Sequence, residues 1–134
     1  MMKRLILIAI TVIAAAGCKR FDIDELLLQR EDVSLTVKGT EEFSYNPDTC
    51  QLGYNAESNE FRVFDDNAGH WFKIRCSASP DTEGQIIKAT LNYTTKDDNK
   101  SLRDVEMTVK KISRDGRIWL WSDSRSIGVV VKRL

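Results

Sequence analysis

The chain of 134 residues is short of the groups on which most enzyme chemistry rests: one histidine, three cysteines and no block of single-sign charge. A lone histidine, His70, supplies no His-rich metal site. Neither Cys50 nor Cys76 lies in a Cys-x-x-Cys pair of the kind that holds zinc. No Gly-x-Ser-x-Gly elbow is present, and no nucleophile stands in a motif with His70, so activated-nucleophile catalysis has no signature. No metal and no cofactor are expected. Long apolar runs are missing as well. The longest, residues 5–16, has twelve residues, against about 20 for a membrane-crossing helix. With 20 basic and 20 acidic residues and no basic cluster interleaved with aromatics, nucleic acid is not expected as a partner.

What is present begins at the N-terminus. Met1-Met2-Lys3-Arg4 is followed by the apolar run and then Gly17-Cys18. A basic start, a short apolar middle and small residues before one cysteine form an export signal and not a fold element. Ala15-Ala16-Gly17-Cys18 resembles the lipobox of bacterial lipoproteins. The resemblance implies a signal peptide over 1–17, lipidation of Cys18 on its thiol and amine, and a mature chain of 117 residues held at a membrane. In Gram-negative lipoproteins an Asp directly after the modified cysteine commonly signals inner-membrane retention. Lys19 stands there instead, so the same resemblance implies the outer membrane, on its periplasmic or cell-surface side. One acyl chain binds only marginally, and the several chains of this modification would make the anchor stable.

In such an oxidising compartment the two remaining cysteines, Cys50 and Cys76, read as one disulfide. With 25 residues between them, the closed loop would stabilise the fold by about 3–3.5 kcal/mol. Two buried free thiols are the competing reading. Charge is unevenly distributed: residues 19–83 carry 7 basic and 14 acidic groups, residues 84–134 carry 11 and 6. Such asymmetry can steer a charged partner, unless the two halves interleave in the fold.

Residues 18–32 form the expected lipidated tether. Asp22 or Asp24 is placed to cap a short helix over 25–30. From residue 33 to 134 the pattern predicts a single β domain. Val33, Leu35 and Val37 alternate with polar residues, and short strands follow at 42–45, 51–54, 60–64 and 71–77. Phe72, Ile74 and Cys76 share one face of the last of these, with Lys73 and Arg75 on the other. Ile87, Ala89, Leu91 and Tyr93 then share a face of 85–95, and Val105, Met107 and Val109 share one of 103–112. Asp115-Gly116 marks a tight turn into 117–121, and a final strand covers 127–132. The fold class is all-β: an antiparallel sandwich, immunoglobulin-like, or a small barrel, with a C-terminal meander.

Two segments break the alternation. Trp119 and Trp121 oppose Ile118 and Leu120, and Val129 to Val131 are apolar on both faces. Such strands need cover on both sides or expose a patch. Loops or Leu26-Leu27-Leu28 can supply the cover; otherwise Trp119 and Trp121 form an aromatic platform for a sugar ring or a partner. Trp71 and Tyr54, near turns, are further candidates for ligand contact. A C-terminal edge strand is a site for strand addition by a partner. Asp65-Asp66-Asn67-Ala68-Gly69 spaces oxygen ligands like the start of a calcium loop but lacks the closing bidentate Glu, so an ordinary turn is expected. His70 is expected at the surface.

These features point to a membrane-anchored, non-catalytic lipoprotein that binds an envelope protein or glycan, or serves a structural role. A small inhibitor of a hydrolase is the alternative, since lipoprotein lysozyme inhibitors are similar in size, lipid anchor and disulfide. A carbohydrate-binding surface protein is the third reading.

Overall fold

The computed structural model describes residues 28, 30, 32–66, 69–95 and 98–133. The signal region, Cys18 and most of the expected helix over 25–30 lie outside the described residues. Nine strands follow: β1 (Ser34–Val37), β2 (Thr40–Ser44), β3 (Cys50–Asn55), β4 (Glu60–Asp65), β5 (His70–Cys76), β6 (Ile86–Thr94), β7 (Asn99–Ile112), β8 (Arg117–Ser122) and β9 (Ile127–Lys132). They form one sheet in the order β2-β1-β9-β8-β7-β6-β5-β4-β3. Every pairing is antiparallel. The all-β class read from the alternation holds, as a sheet curled into a half-barrel. The meander is longer than its C-terminal portion, running unbroken from β3 to β9, with β1 docked beside β9.

Local chemistry makes the reversals. Asn46 folds its amide back to accept from the Asp48 N–H at 2.9 Å, and the Cys50 N–H donates to the Asn46 carbonyl at 2.8 Å. This side-chain mimic of a turn, followed by Pro47, cannot continue a strand. At the β7–β8 reversal Gly116 holds φ +93°. There the Ser113 hydroxyl and the Arg117 guanidinium, with Nε 3.1 Å away, both bond the Asp115 carboxylate. The Ser113 hydrogen bond first, and Arg117 second, hold that carboxyl down at about 2.

Three register shifts bend the sheet. Between Leu35 and Thr36 the ladder to β2 skips a residue, and β7 carries one extra residue opposite Ala89–Leu91 and another between Val109 and Lys111. Asp104, at the first of the β7 bulges, has φ +52°. Each bulge bends its strand and increases the local twist. The same bulge explains why β7 begins at Asn99 and not at Arg103. Leu102 and Val105 both oppose inward residues, Leu91 and Ala89, so the period-2 pattern changes phase and the alternation is legible only from Arg103 onward.

Curling lets one face of the sheet serve as its own partner. The inward row Phe61, Ile74 and Leu91 runs across β4, β5 and β6. It belongs to one core cluster with Leu35, Val129 and Leu120 of the far end, all of them buried. Closure is direct at Phe43 of β2 and Phe72 of β5, whose rings meet edge-on at 5.2 Å. Burial, then the nearby Glu42 carboxylate, pushes the Tyr93 phenol up. At the other end Arg133 stacks on Tyr54 at 5.8 Å, donates to the Pro80 carbonyl at 2.8 Å and lies 3.3 Å from Asp81.

The expected Cys50–Cys76 disulfide is corrected. Both cysteines are free and buried. Cys50 pairs with Asp65, which pairs with His70 at the start of β5, whereas Cys76 closes that strand. Six residues at about 3.3 Å each separate the two levels, roughly 20 Å along the sheet. A bridge needs Cα atoms within about 7 Å. Burial pushes the Cys76 thiol up to about 12 against the opposing pull of Arg133, so it stays protonated and unreactive at neutral pH.

Two outcomes follow. In the native protein Cys50 and Cys76 resist alkylation until unfolding, and reductant leaves the intact mass unchanged; a gain of two hydrogens would establish the disulfide instead. A Cβ at position 116 would meet the Arg133 carbonyl oxygen at 2.6 Å at a positive φ. Gly116→Ala should therefore destabilise by about 1–3 kcal/mol, read by denaturant unfolding.

Candidate functional site

Strand alternation assigns every second residue to the outer, convex face, and that face has two different regions. The first lies on β8 and β9. Trp119, Trp121 and Val130 form an outer cluster, joined through the pairing Trp119↔Val130. Yet Trp119 is only 2% exposed and Trp121 only 5%. The Trp119 indole N–H donates to the Arg30 carbonyl at 2.8 Å, so the backbone at Arg30 lies against this region. Lys111 and Arg117 stand over the same ring at 4.8 and 5.4 Å. Arg30 is in turn anchored by an ion pair to Glu41. A ring with a bonded N–H and two flanking cations is positioned as packing. Neither tryptophan offers an open face for a ligand.

The second region, on β3, β4 and β5, is open. The register puts Gln51, Phe64 and Trp71 in one row, and Gly53, Arg62 and Lys73 in the next. Phe61 and Val63 turn inward, which forces their neighbours Arg62 and Phe64 outward. Phe64 is 42% exposed, and Trp71 beside it is half-buried. The Lys73 ammonium lies 5.7 Å from the Trp71 ring centroid. These two rows line a depression of about 490 Å³, within the size range of small-ligand sites. Gly53 keeps its floor clear: a Cβ there would meet only Arg62, at 3.7 Å.

A polar depression of about 330 Å³ adjoins it and shares Lys73. Its ladder runs Lys73↔Asn92↔Ser101 and Arg75↔Thr90, with Arg103 and Glu60 also lining it. The Glu60 carboxylate stands 3.9 Å from Arg62 Nε. Four cations thus face one carboxylate across the combined surface.

The remaining sequence candidates are elsewhere. Tyr54 is turned inward against Phe61, ring centroids 4.8 Å apart. His70 pairs across the ladder with Asp65 beside a shallow recess lined by Glu41 and Glu42. At 65–69, where an ordinary turn is expected, Gly69 donates to the Asp65 carbonyl at 2.9 Å, and Asp66 accepts from the Gln51 amide at 2.7 Å. Asn67 and Ala68 lie outside the described residues. Among the described residues no three His, Cys, Asp or Glu side chains converge on a metal position. The C-terminal strand β9 is central, between β1 and β8; the sheet edges are β2 and β3.

Of the sequence candidates, only Trp71 belongs to the open groove. Phe64, Arg62 and Gly53 were missed, although the alternation in Glu60-Phe61-Arg62-Val63-Phe64 already sets Phe64 in phase with Arg62. An aromatic residue on the charged face of an amphipathic strand was the available signal. Compared with protein-family models, curated proteins and solved structures, the chain has no match.

Opposite fates follow for the two aromatic regions. Trp119→Ala should cost about 3–5 kcal/mol, as a buried aromatic truncation does. Trp71→Ala, at a partly exposed position, should cost about 1 kcal/mol or less. Chemical denaturation of the pair checks both values.

Proposed function

We propose that the protein is a lipid-anchored, non-catalytic binding module of the bacterial cell envelope, tethered through Cys18. The observation that carries this reading is the Ala15-Ala16-Gly17-Cys18 motif at the end of a basic-then-apolar leader, followed by a compact strand domain with an open, half-apolar groove. The groove supports binding over reaction chemistry. Its side chains are aromatic rings, an amide and cations, groups that stack, donate hydrogen bonds and attract anions. The thiols support the same view, since both are buried and Cys76 is held protonated.

The anchor and the groove divide the work. Acyl chains would fix the location, and the outer face of β3–β5 would make the contact. The inhibitor alternative rests on overall size and anchoring and draws no support from a disulfide, because the two cysteines lie too far apart to form one.

The test is detergent phase partitioning of the protein expressed in a Gram-negative host. The native chain should enter the detergent phase, and its mature N-terminus should be acylated Cys18. Cys18→Ser should move to the aqueous phase. Membrane partitioning of the serine variant, or a mature N-terminus elsewhere, would overturn the anchor.

A further inference from the structure

We propose that the outer-face groove of β3–β5 binds a carboxylated oligosaccharide. The inference rests on the reading of the domain as a binding module; it does not need the lipid anchor. Its first support is the paired aromatic surface. Phe64 and Trp71 are direct cross-strand neighbours on β4 and β5, and Phe64 is well exposed. Solvent-facing rings offer an apolar surface to the C–H face of a sugar ring, and the Lys73 ammonium 5.7 Å from the Trp71 centroid would turn to the ligand's carboxylate when that surface is occupied.

The second support is the cation row one step along the strands. Arg62 and Lys73 are paired across the ladder, two residues and about 6.7 Å from the aromatic row. That offset matches one sugar unit lying on the rings with its acidic substituent reaching the cations. A guanidinium meets a carboxylate with two parallel N–H groups, which favours carboxylate over a neutral hydroxymethyl at that position.

Third, the site is elongated. The second depression shares Lys73 and continues over β6 and β7 with the hydroxyls of Thr90 and Ser101 and the Asn92 amide. From β3 to β7 the track crosses four strand spacings, about 19 Å. A single small acid would fill only part of it, whereas a chain of sugar units follows it. Arg75 and Arg103 extend the positive charge along the track. Single-stranded nucleic acid also combines stacking with cations, but it needs successive platforms along the strand. Here the two rings occupy one end of the track, and the rest, with Glu60, Arg75, Thr90, Asn92, Ser101 and Arg103, carries no further ring.

Gly53 sharpens the test. A Cβ at this position would meet nothing nearer than Arg62, at 3.7 Å, and β-branched residues suit strands. Gly53→Val should fill the groove floor beside Arg62 while leaving the identity of every proposed contact residue unchanged.

The experiment is calorimetric titration of the purified full chain with an oligogalacturonide, a hyaluronan oligosaccharide, a neutral galactan oligosaccharide and oligo-deoxythymidine. The first two share carboxylated rings and differ in source and N-acetylation, so preference between them reads the source. Saturable binding to at least one is expected, with the neutral sugar about tenfold weaker or worse. Trp71→Ala and Lys73→Gln should each weaken binding about tenfold, and Gly53→Val should remove it with the melting temperature held. Absence of binding to both acidic sugars, equal binding of the neutral one, tighter binding of the nucleic acid, or indifference to Gly53→Val would each overturn the proposal. All three variants should keep the detergent partitioning of the native chain. Lost sugar binding with intact partitioning therefore fails this inference alone, and lost partitioning with intact sugar binding fails the anchor alone.

Discussion

The whole architecture depends on one face of one sheet burying itself. Among the described residues the nine-stranded antiparallel sheet is the one layer, so its inner side chains find partners on its own far end. Bulges make that possible. Extra residues in β2 and β7 add twist where a flat ladder would splay. The edge-on contact of Phe43 with Phe72 then joins elements that are distant in sheet order. Removing the curl would expose the row from Phe61 to Leu91 and that from Leu35 to Leu120 together.

With the core assigned to one face, the other face is free to differ along its length, and it does. On β8 and β9 it is apolar and covered, with Trp119 bonded to the Arg30 carbonyl. On β3 to β5 it is half aromatic, half cationic and open. The same period of two that builds the core therefore also composes the groove, because each inward Phe61, Val63 and Phe72 fixes an outward Arg62, Phe64 and Trp71 or Lys73. Gly53 is the one position where the absence of a side chain matters to that surface.

Most of the fold was legible because alternation is a local signal. The strands at 33–37, 60–64, 71–77 and 85–95 and the turn at Asp115-Gly116 all appear where the residues place them. What failed depended on information the local pattern lacks. The start of β7 was hidden because the Asp104 bulge changes the phase of the alternation. The Cys50–Cys76 pairing failed because cysteine count carries no register: the two residues stand on the same inner face but at opposite ends of their strands. Which aromatic residues stay open is likewise a matter of position in the sheet: of the two readings of Trp119 and Trp121, the structure has the covered one. Trp119 and Trp121 are the more conspicuous in sequence, yet an apolar outer face on a central strand is the one that neighbouring chain covers. Phe64 sits on a strand next to the edge, among charges, and stays exposed.

The missing cross-link also bears on how the domain holds together in the proposed envelope setting. A disulfide stabilises chiefly by restricting the unfolded chain, and small exported domains lean on it when their cores are thin. Here the core is not thin. The inner face of the sheet buries Phe, Ile, Leu, Val and Met side chains from every strand except β3, which contributes Cys50 and the partly buried Leu52 and Tyr54. Closure of the curl supplies the long-range contacts that a bridge would otherwise enforce. By the same reasoning β3 is thinly anchored, an edge strand with a glycine in its middle and a ladder on one side only. It is also the wall of the groove. A ligand lying along β3 to β5 would add contacts where the sheet has fewest, so occupancy and edge stability would be coupled through the same row of residues.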